Sequence, residues 1–515
     1  MSPRPKKILL LTNSEHGQAN VYLAVSHALL DSEDAVEVHL ASFAPIAKFV
    51  KTTSEYAQQI CRHGRSIVFH EIQGIDMRSA WSRPEIGMGD PTTNSTRGLF
   101  NAAKKVHLLL RVTLPWTGPE FLEIYRSIVE IIQDVRPDLI AADPAFSPAL
   151  TACQHLGVNF VILTPNTIKD FAMPLQPNGE ALWKYPCTGS GFPFPVPWYL
   201  VPLNILLIFI SIFIGVTDSR RKRIQRYVFE HTGGTHLVTL NDLSLNPRLG
   251  IKFLVANLPE IEYPLRVIPK HIIPCGPMIR PAKPVAEVDP DLAGWLAKGP
   301  TIYINMGTHV LTTEDTAVEM ATALRIVLDH ARCIVRKDMR MEQLQVLWKL
   351  LRNTKGGDYA VHMPRSRVHN VLGRYMDKDV VRIVEWLEPE PTAVLEDNNV
   401  VCAVHHGGAN SFLEAVSAGK PHVVLPVWID TFDFASRAEL LGIGLWGNKL
   451  TRPNCKAFEL GPTLKEVLIG ENALAMRERA EALARLCAEN GGGRVNAARA
   501  ILAEIERREE SLKSL

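Results

Sequence analysis

The chain has little of several things that would narrow its chemistry at once. Its 8 cysteines are scattered over 515 residues with no CxxC pair, which excludes a zinc site of that spacing and reads as reduced thiols rather than a disulfide frame. Formal net charge is only +2, so no nucleic acid or other polyanion partner is implied. No short-period repeat and no extended low-complexity tract is present. The opening MSPRPKKILLLTN has an apolar run too short for a signal peptide; it reads as a first strand of a cytoplasmic protein, and the sequon Asn94-Ser95-Thr96 is then a chance match. Gly189-Ser190-Gly191 is no dinucleotide fingerprint, because the Phe-Pro-Phe-Pro that follows cannot open a helix. What is present is ordinary for a folded chain: 46% apolar and 21% charged residues, at a length that suits two or three domains.

Apolar strands and amphipathic helices alternate along the chain. Strands are expected at 7–12, 36–42, 138–143, 159–164, 236–240 and 272–276, followed by a Pro-rich stretch at 277–289. Alternation restarts at 301–305 and continues at 331–335, 380–384, 401–404 and 422–427. This predicts an α/β fold of two parallel, doubly wound halves. The expected domains are 1–276, a linker at 277–297, 298–490, and a final amphipathic helix within 491–515.

Residues 401–449 carry the densest signal. An apolar strand ends in His405-His406-Gly407-Gly408, a helix signature follows, and Gly419 and Pro421 stop it before a second strand leading to Asp430. A strand, a glycine turn and a helix start make an anion site, because the first helical N–H groups are unpaired. His406 adds a donor, Ser411 a hydroxyl, and Glu414 an acceptor for sugar or ribose hydroxyls. The set suits a nucleoside diphosphate carrying a sugar.

His406, Gly408, Asn410, Ser411, Glu414 and Asp430 stand at the spacing of a known donor signature, and in that respect the segment resembles the family-1 glycosyltransferases, the UDP-glucosyl- and UDP-glucuronosyltransferases. Where the family ends its signature on Gln, this chain has Thr431, which bears on the identity of the sugar. The resemblance implies a GT-B architecture, two Rossmann-like domains facing across a cleft, with the last helix crossing back onto the first domain. It implies a metal-independent, inverting transferase with UDP-sugar as co-substrate, no cofactor and no metal. Neither DxD string, at 289–291 or 377–379, ends an apolar strand, and both read as solvated turns.

His16 follows the first strand, where the family places its catalytic histidine. An imidazole there can take the proton of an acceptor hydroxyl. Asp143 ends the strand PDLIAAD, at the place of the family's orienting aspartate, and is expected to hold His16. Gly307 and Thr308, in NMGTH, match the family's diphosphate contact. Trp386 matches the ring that stacks on uracil, although its W-x-P-Q motif has become Trp386-Leu387-Glu388-Pro389-Glu390.

Residues 198–216, WYLVPLNILLIFISIFIGV, precede Arg220-Arg221-Lys222-Arg223. As a helix the run is about 28 Å long, close to a bilayer core. One crossing would separate His16 and Asp143 from the donor site. The segment therefore reads as a surface-lying membrane contact spanning 198–223, a pocket wall or an oligomer contact, with peripheral membrane association favoured. The stretch 74–132, including HLLLRVTLPW, is expected to line the acceptor side. Its apolar content suggests a lipophilic acceptor such as a sterol, terpenoid, polyketide or phenolic of secondary metabolism. The texture of LPVWIDTFDFASRAELLGIG is nearest to fungal members. The expected activity is hexose transfer, with glucose as the sugar, to a hydroxyl of such a molecule. Two alternatives stand beside it: a sugar-nucleotide epimerase or hydrolase of the same fold using Glu15, and a non-catalytic, membrane-docked donor-binding subunit, which would need no base at His16.

Overall fold

The structure, a computed structural model, describes residues 4–61, 63–86, 108, 110–244, 250–333, 340–353 and 359–513. Two parallel sheets organise it. The first contains β1 (Lys6–Leu11), β2 (Val36–Ser42), β3 (Ile67–Glu71), β4 (Leu139–Ala142), β5 (Phe160–Thr164), β6 (Phe253–Val255) and β7 (Ile272–Pro274), in the order β3-β2-β1-β4-β5-β6-β7. The second contains β8 (Thr301–Asn305), β9 (Gln345–Lys349), β10 (Val381–Val384), β11 (Val400–His405), β12 (His422–Val424) and β13 (Gly444–Trp446), in the order β10-β9-β8-β11-β12-β13.

Strand order reverses between β1 and β4 in the first sheet and between β8 and β11 in the second. At such a switch the loops leaving neighbouring strands part to opposite faces and open a crevice at the strand ends. His16 and Asp143 follow β1 and β4; Thr308 and His406 follow β8 and β11. Topology alone thus puts all four at switch points.

Both faces of each sheet are covered, as continuous apolar strands require. In β1, Ile8 and Leu10 pack on one side with Tyr22 and Val25, while Leu9 and Leu11 pack on the other with Phe121 and Ile128. The terminal helix Gly493–Lys513 lies on the first lobe. Ile501 and Ile505 join the layer of Ile8 and Leu10, and Lys252 pairs with Glu504 at 2.6 Å.

Several sequence-based assignments need correction. Residues 236–240 form no strand: the N–H groups of Leu237 and Val238 donate to Gln225 Oε1 and Thr151 Oγ1, and a short helix starts at Leu240. The next strand is β6. The strand expected at 331–335 is the end of helix Glu314–Ala331 and a turn as far as 333, and 334–335 lie outside the described residues. The sheet position is taken by β9 instead. The expected linker, 277–297, is only partly a linker, because helices Val285–Val288 and Pro290–Leu296 put Leu292, Trp295 and Leu296 into the second lobe's core. Of the stretch 74–132, residues 87–107 and 109, which include the sequon, lie outside the described residues.

Candidate active site

A cavity of about 540 Å³ lies between the lobes, lined from both sides. Its volume suits a small-molecule site.

On the first-lobe wall, Thr12–Glu15 carry the chain from β1 into helix His16–Leu30, so His16 is that helix's first residue. The ring meets Phe49 edge-on, centroids 4.1 Å apart. Burial, and then the Arg280 guanidinium, hold the imidazole below its ordinary range; Glu390, Asn20 and Glu15 act against them. At neutral pH the ring is therefore uncharged and able to accept a proton.

Asp143 does not hold His16, contrary to expectation. The carboxylate is fully buried beneath the loop. Its Oδ2 accepts from Thr12 Oγ1 (3.1 Å), the Asn13 N–H (3.3 Å) and Asn13 Nδ2 (2.7 Å), and its Oδ1 accepts from the Ala145 N–H (2.8 Å). Among the described residues no hydrogen bond joins it to His16. Asn13 Oδ1 in turn accepts from the Glu15 N–H at 2.6 Å. Asp143 thus braces the loop that presents His16. Burial pushes its carboxyl up to about 6 against those bonds.

On the second-lobe wall, His406 follows β11 and lies between two glycines. A Cβ on Gly307 would stand 2.7 Å from its Cε1, and one on Gly408 would stand 2.5 Å from its Nε2. Either side chain would displace the ring. Burial lowers His406 to about 4, with His309 adding to the shift, and among the described residues its Nδ1 has no hydrogen-bond partner. Gly408 caps helix Ala409–Ser417, whose first N–H groups and Ser411 face the cavity together with Gly307 and Thr308. A diphosphate placed there meets unpaired donors and an imidazole that its charge would help to protonate.

Glu414, one turn along, is pushed up to about 8 by burial and then by Glu390, with Arg280 and Lys349 opposing. Trp386 lies on the loop after β10, 58% exposed, with Lys349 Nζ 4.0 Å from its ring centre. A flat, open ring flanked by a cation is fit for stacking a base. Asp430 opens into the cavity with its side chain exposed there; the protein around it, and then Asp170 and Asp433, raise its carboxyl above the ordinary range.

Two donor-side expectations change. Thr431 is fully buried and does not line the cavity: its hydroxyl donates to the Trp428 carbonyl and accepts from the Trp428 N–H, closing the turn before helix Thr431–Leu441. Asn410 lines the cavity, but its amide donates across the cleft to the His16 and Gly17 carbonyls, at 3.4 and 3.3 Å. Glu390 is engaged by Arg280. The DxD strings lie elsewhere: Asp289 caps helix Pro290–Leu296, and Asp379 pairs with Arg382 and Lys298.

Other cavity residues had no sequence signal of their own. His309 Nε2 reaches Glu15 Oε2 across the cleft at 2.8 Å. Deeper, Lys169 and Glu262 of the first lobe meet Asp433 and Arg437 of the second: Lys169 pairs with Asp433, and Arg437 Nε lies 2.8 Å from Glu262 Oε1. These charges are buried at ion-pair distance, which ties the lobes in one orientation, although among the described residues the Arg437 nitrogens make no hydrogen bond.

No family model matches the chain. Glycosyltransferase sdnJ of Sordaria araneosa is 30% identical over 520 residues, covering 99% of this chain and 96% of that one. UDP-glucuronosyltransferase 3A1 of Mus musculus is 23% identical over 355 residues, covering 67% of this chain and 58% of that one. Among solved structures, a Polygonum tinctorium UDP-glucosyltransferase capable of glucosylating indoxyl, in complex with 3,4-dichloroaniline, superposes with a TM-score of 0.62 at 14% identity, over 98% of this chain and 99% of that one. The likeness to the Polygonum enzyme gives the two-lobed fold, the whole-length likeness to the Sordaria enzyme gives the kinship, and the chain belongs to the family-1 glycosyltransferases, the UDP-glycosyltransferases of GT-B fold.

Proposed function

We propose that this enzyme transfers a hexose, glucose, from its UDP-sugar to a hydroxyl of a lipophilic small molecule in one inverting displacement, and that it works in the cytoplasm in peripheral contact with a membrane through residues 198–223. The observation that carries this reading is that His16, uncharged at neutral pH, opens into the same cavity as the glycine-bracketed His406 turn of the opposite lobe.

In this reading the acceptor oxygen bonds to the anomeric carbon as the bond from that carbon to the diphosphate breaks. His16 takes the acceptor proton, and UDP leaves with the bonding pair. His406, Thr308, Ser411 and the first turn of helix Ala409–Ser417 meet the leaving charge, so no metal is required. Glu414 takes the ribose hydroxyls, Trp386 stacks on uracil, and Asp430 takes sugar hydroxyls. Phe49, Trp81 and Trp428 supply apolar wall, in keeping with a lipophilic acceptor. Glucose is supported by the activity named for the Polygonum enzyme. Glu15, the carboxylate that a hydrolase or epimerase would need, is engaged by His309.

The test is a screen of UDP-sugars against lipophilic alcohols and phenols, with products identified by mass spectrometry and the new linkage by NMR. The expected product carries inverted anomeric configuration, and His16→Ala lowers its rate of formation on the order of 10²- to 10⁴-fold. Glycosylation by His16→Ala at the wild-type rate would overturn the base assignment. Retained configuration would overturn the single displacement. UDP release without acceptor would favour the hydrolytic alternative.

A further inference from the structure

Helix Val201–Thr217 is held to the protein along one side only. Its inner stripe starts with Asn204, fully buried, which donates to the Leu182 and Tyr185 carbonyls (2.9 Å each) and accepts from the Cys187 N–H (2.8 Å). Leu207 and Ile214 continue that stripe at helical spacing and are buried. The outer stripe does the opposite: Leu206, Phe209, Phe213 and Val216 are 44%, 56%, 68% and 67% exposed. Trp198 and Tyr199, just before the helix, are 85% and 63% exposed. An open apolar stripe of this size is unusual on a soluble surface and marks an interface.

Helix Ser219–His231 follows directly, capped by Asp218. Arg220 and Arg221 are engaged by the carbonyls of Pro115 and Trp116 and by Asp242. Lys222, Arg223 and Arg226 stand on the exposed side.

Length and composition also allow this segment to cross a bilayer. The sheet forbids a single crossing. The segment lies between β5 and β6, which are hydrogen-bonded neighbours with Ile162 opposite Phe253. Both ends of the insertion therefore return to one sheet on one side of any membrane.

Resting on the membrane contact proposed above, we propose that this face docks on a bilayer surface containing anionic lipid. The outer stripe enters the boundary between headgroups and acyl chains, Trp198 and Tyr199 sit at headgroup level, and Lys222, Arg223 and Arg226 meet lipid phosphates. Charge selects this occupant over a second copy of the chain: helix Val201–Thr217 offers no carboxylate, and on helix Ser219–His231 the exposed Glu230 stands against Lys222, Arg223 and Arg226, so a twofold-related copy would bring like charges together.

Full-length protein is floated on sucrose gradients with vesicles of phosphatidylcholine alone and of phosphatidylcholine with phosphatidylserine. The protein is expected to float with the anionic vesicles, and less as salt rises. Phe209→Ser with Phe213→Ser should abolish flotation on both. Lys222→Glu with Arg226→Glu, on the other helix, should lower partition to the anionic vesicles about tenfold or more and leave the weak neutral binding unchanged. All four side chains are solvent-exposed, and an unchanged unfolding midpoint by circular dichroism identifies a folded variant. No flotation by the wild type, or flotation that neither double variant alters, overturns the proposal. So does a sedimentation-defined dimer that Phe209→Ser with Phe213→Ser converts to monomer while no vesicle is bound. Because flotation needs no sugar or acceptor, failure of the glycosyl-transfer reading leaves this outcome unaffected.

Discussion

The two walls of the cleft are built in different ways. The second-lobe wall is centred on one continuous stretch, in which β11, a glycine turn and a nine-residue helix place His406, Ser411 and Glu414 within one βα unit, with the loops after β8 and β10 beside it. Its precision is steric, with one ring held between two missing Cβ atoms. The first-lobe wall is assembled from pieces far apart in the chain: His16 from the β1 loop, Asp143 beneath it, Phe49 beside it, and Arg280 from the connection between lobes. Its precision comes from a buried hydrogen-bond network. A wall made by one local motif tolerates change elsewhere; a wall made by convergence depends on every brace.

The sharpest way to break this contrast is Asp143→Ala. Thr12 and Asn13 would keep three buried donors, and Ala145 a part-buried one, without an acceptor, so unfolding free energy should fall on the order of 2–4 kcal/mol and the transfer rate should fall with it. Denaturant titration beside initial rates measures both. A variant as stable as wild type but inactive would make Asp143 a partner of His16 and not a brace.

Gly408→Ala comes next. The added methyl would push on His406, so affinity for the UDP-sugar should drop on the order of tenfold, about 1.4 kcal/mol, with the acceptor KM unchanged. Calorimetric titration with UDP reads the loss directly. Equal damage to both substrates would show that the walls are not independent.

Glu414→Gln separates stability from function within the local wall. The folded protein holds this carboxyl at about 8 against an ordinary 4.5, so it binds the proton more tightly than the unfolded chain does. Stability is therefore lost as pH rises from 4.5 to 8. The variant escapes that loss, and above pH 8 it should be more stable than wild type by on the order of 1–2 kcal/mol, while donor binding weakens. Below pH 4.5 the gain should vanish. Thermal unfolding across pH, beside UDP titration, follows both effects.

The smallest effect expected is that of Arg280→Gln. The guanidinium is the main charge holding His16 low, and Glu390, Glu15 and Asn20 all pull the other way. Removing it raises the His16 pKa, so the acid limb of kcat/KM should move to higher pH by about one unit or less. A limb that stays in place would mean that another group titrates in catalysis.

Much of the second lobe was legible because its signals are local. His406, Gly408, Ser411, Glu414 and Asp430 fall within a few turns of one another, and all line the cavity. Where a residue's role depended on what packs against it, the pattern misled. Leu237 and Val238 carry strand-like side chains, yet Gln225 and Thr151 take their N–H groups. Thr431 stands in a binding motif, yet its hydroxyl is spent on the adjoining turn. Arg280 looked like part of a Pro-rich connection, although it reaches both Glu390 and the surroundings of His16. His309, Lys169 and Arg437 gave no signal, because each has its partner in the other lobe.

The order of apolar and polar residues sufficed to determine two parallel α/β lobes and the glycine turn ahead of helix Ala409–Ser417. Period and turn chemistry are properties of neighbouring residues, so they survive without knowledge of the fold. Only the tertiary structure decided that Asp143 braces the loop instead of holding His16, that buried ion pairs lock the lobes together, and that one side of helix Val201–Thr217 is left bare. Those outcomes depend on which distant groups come within a few ångströms of each other, and no local pattern encodes that distance.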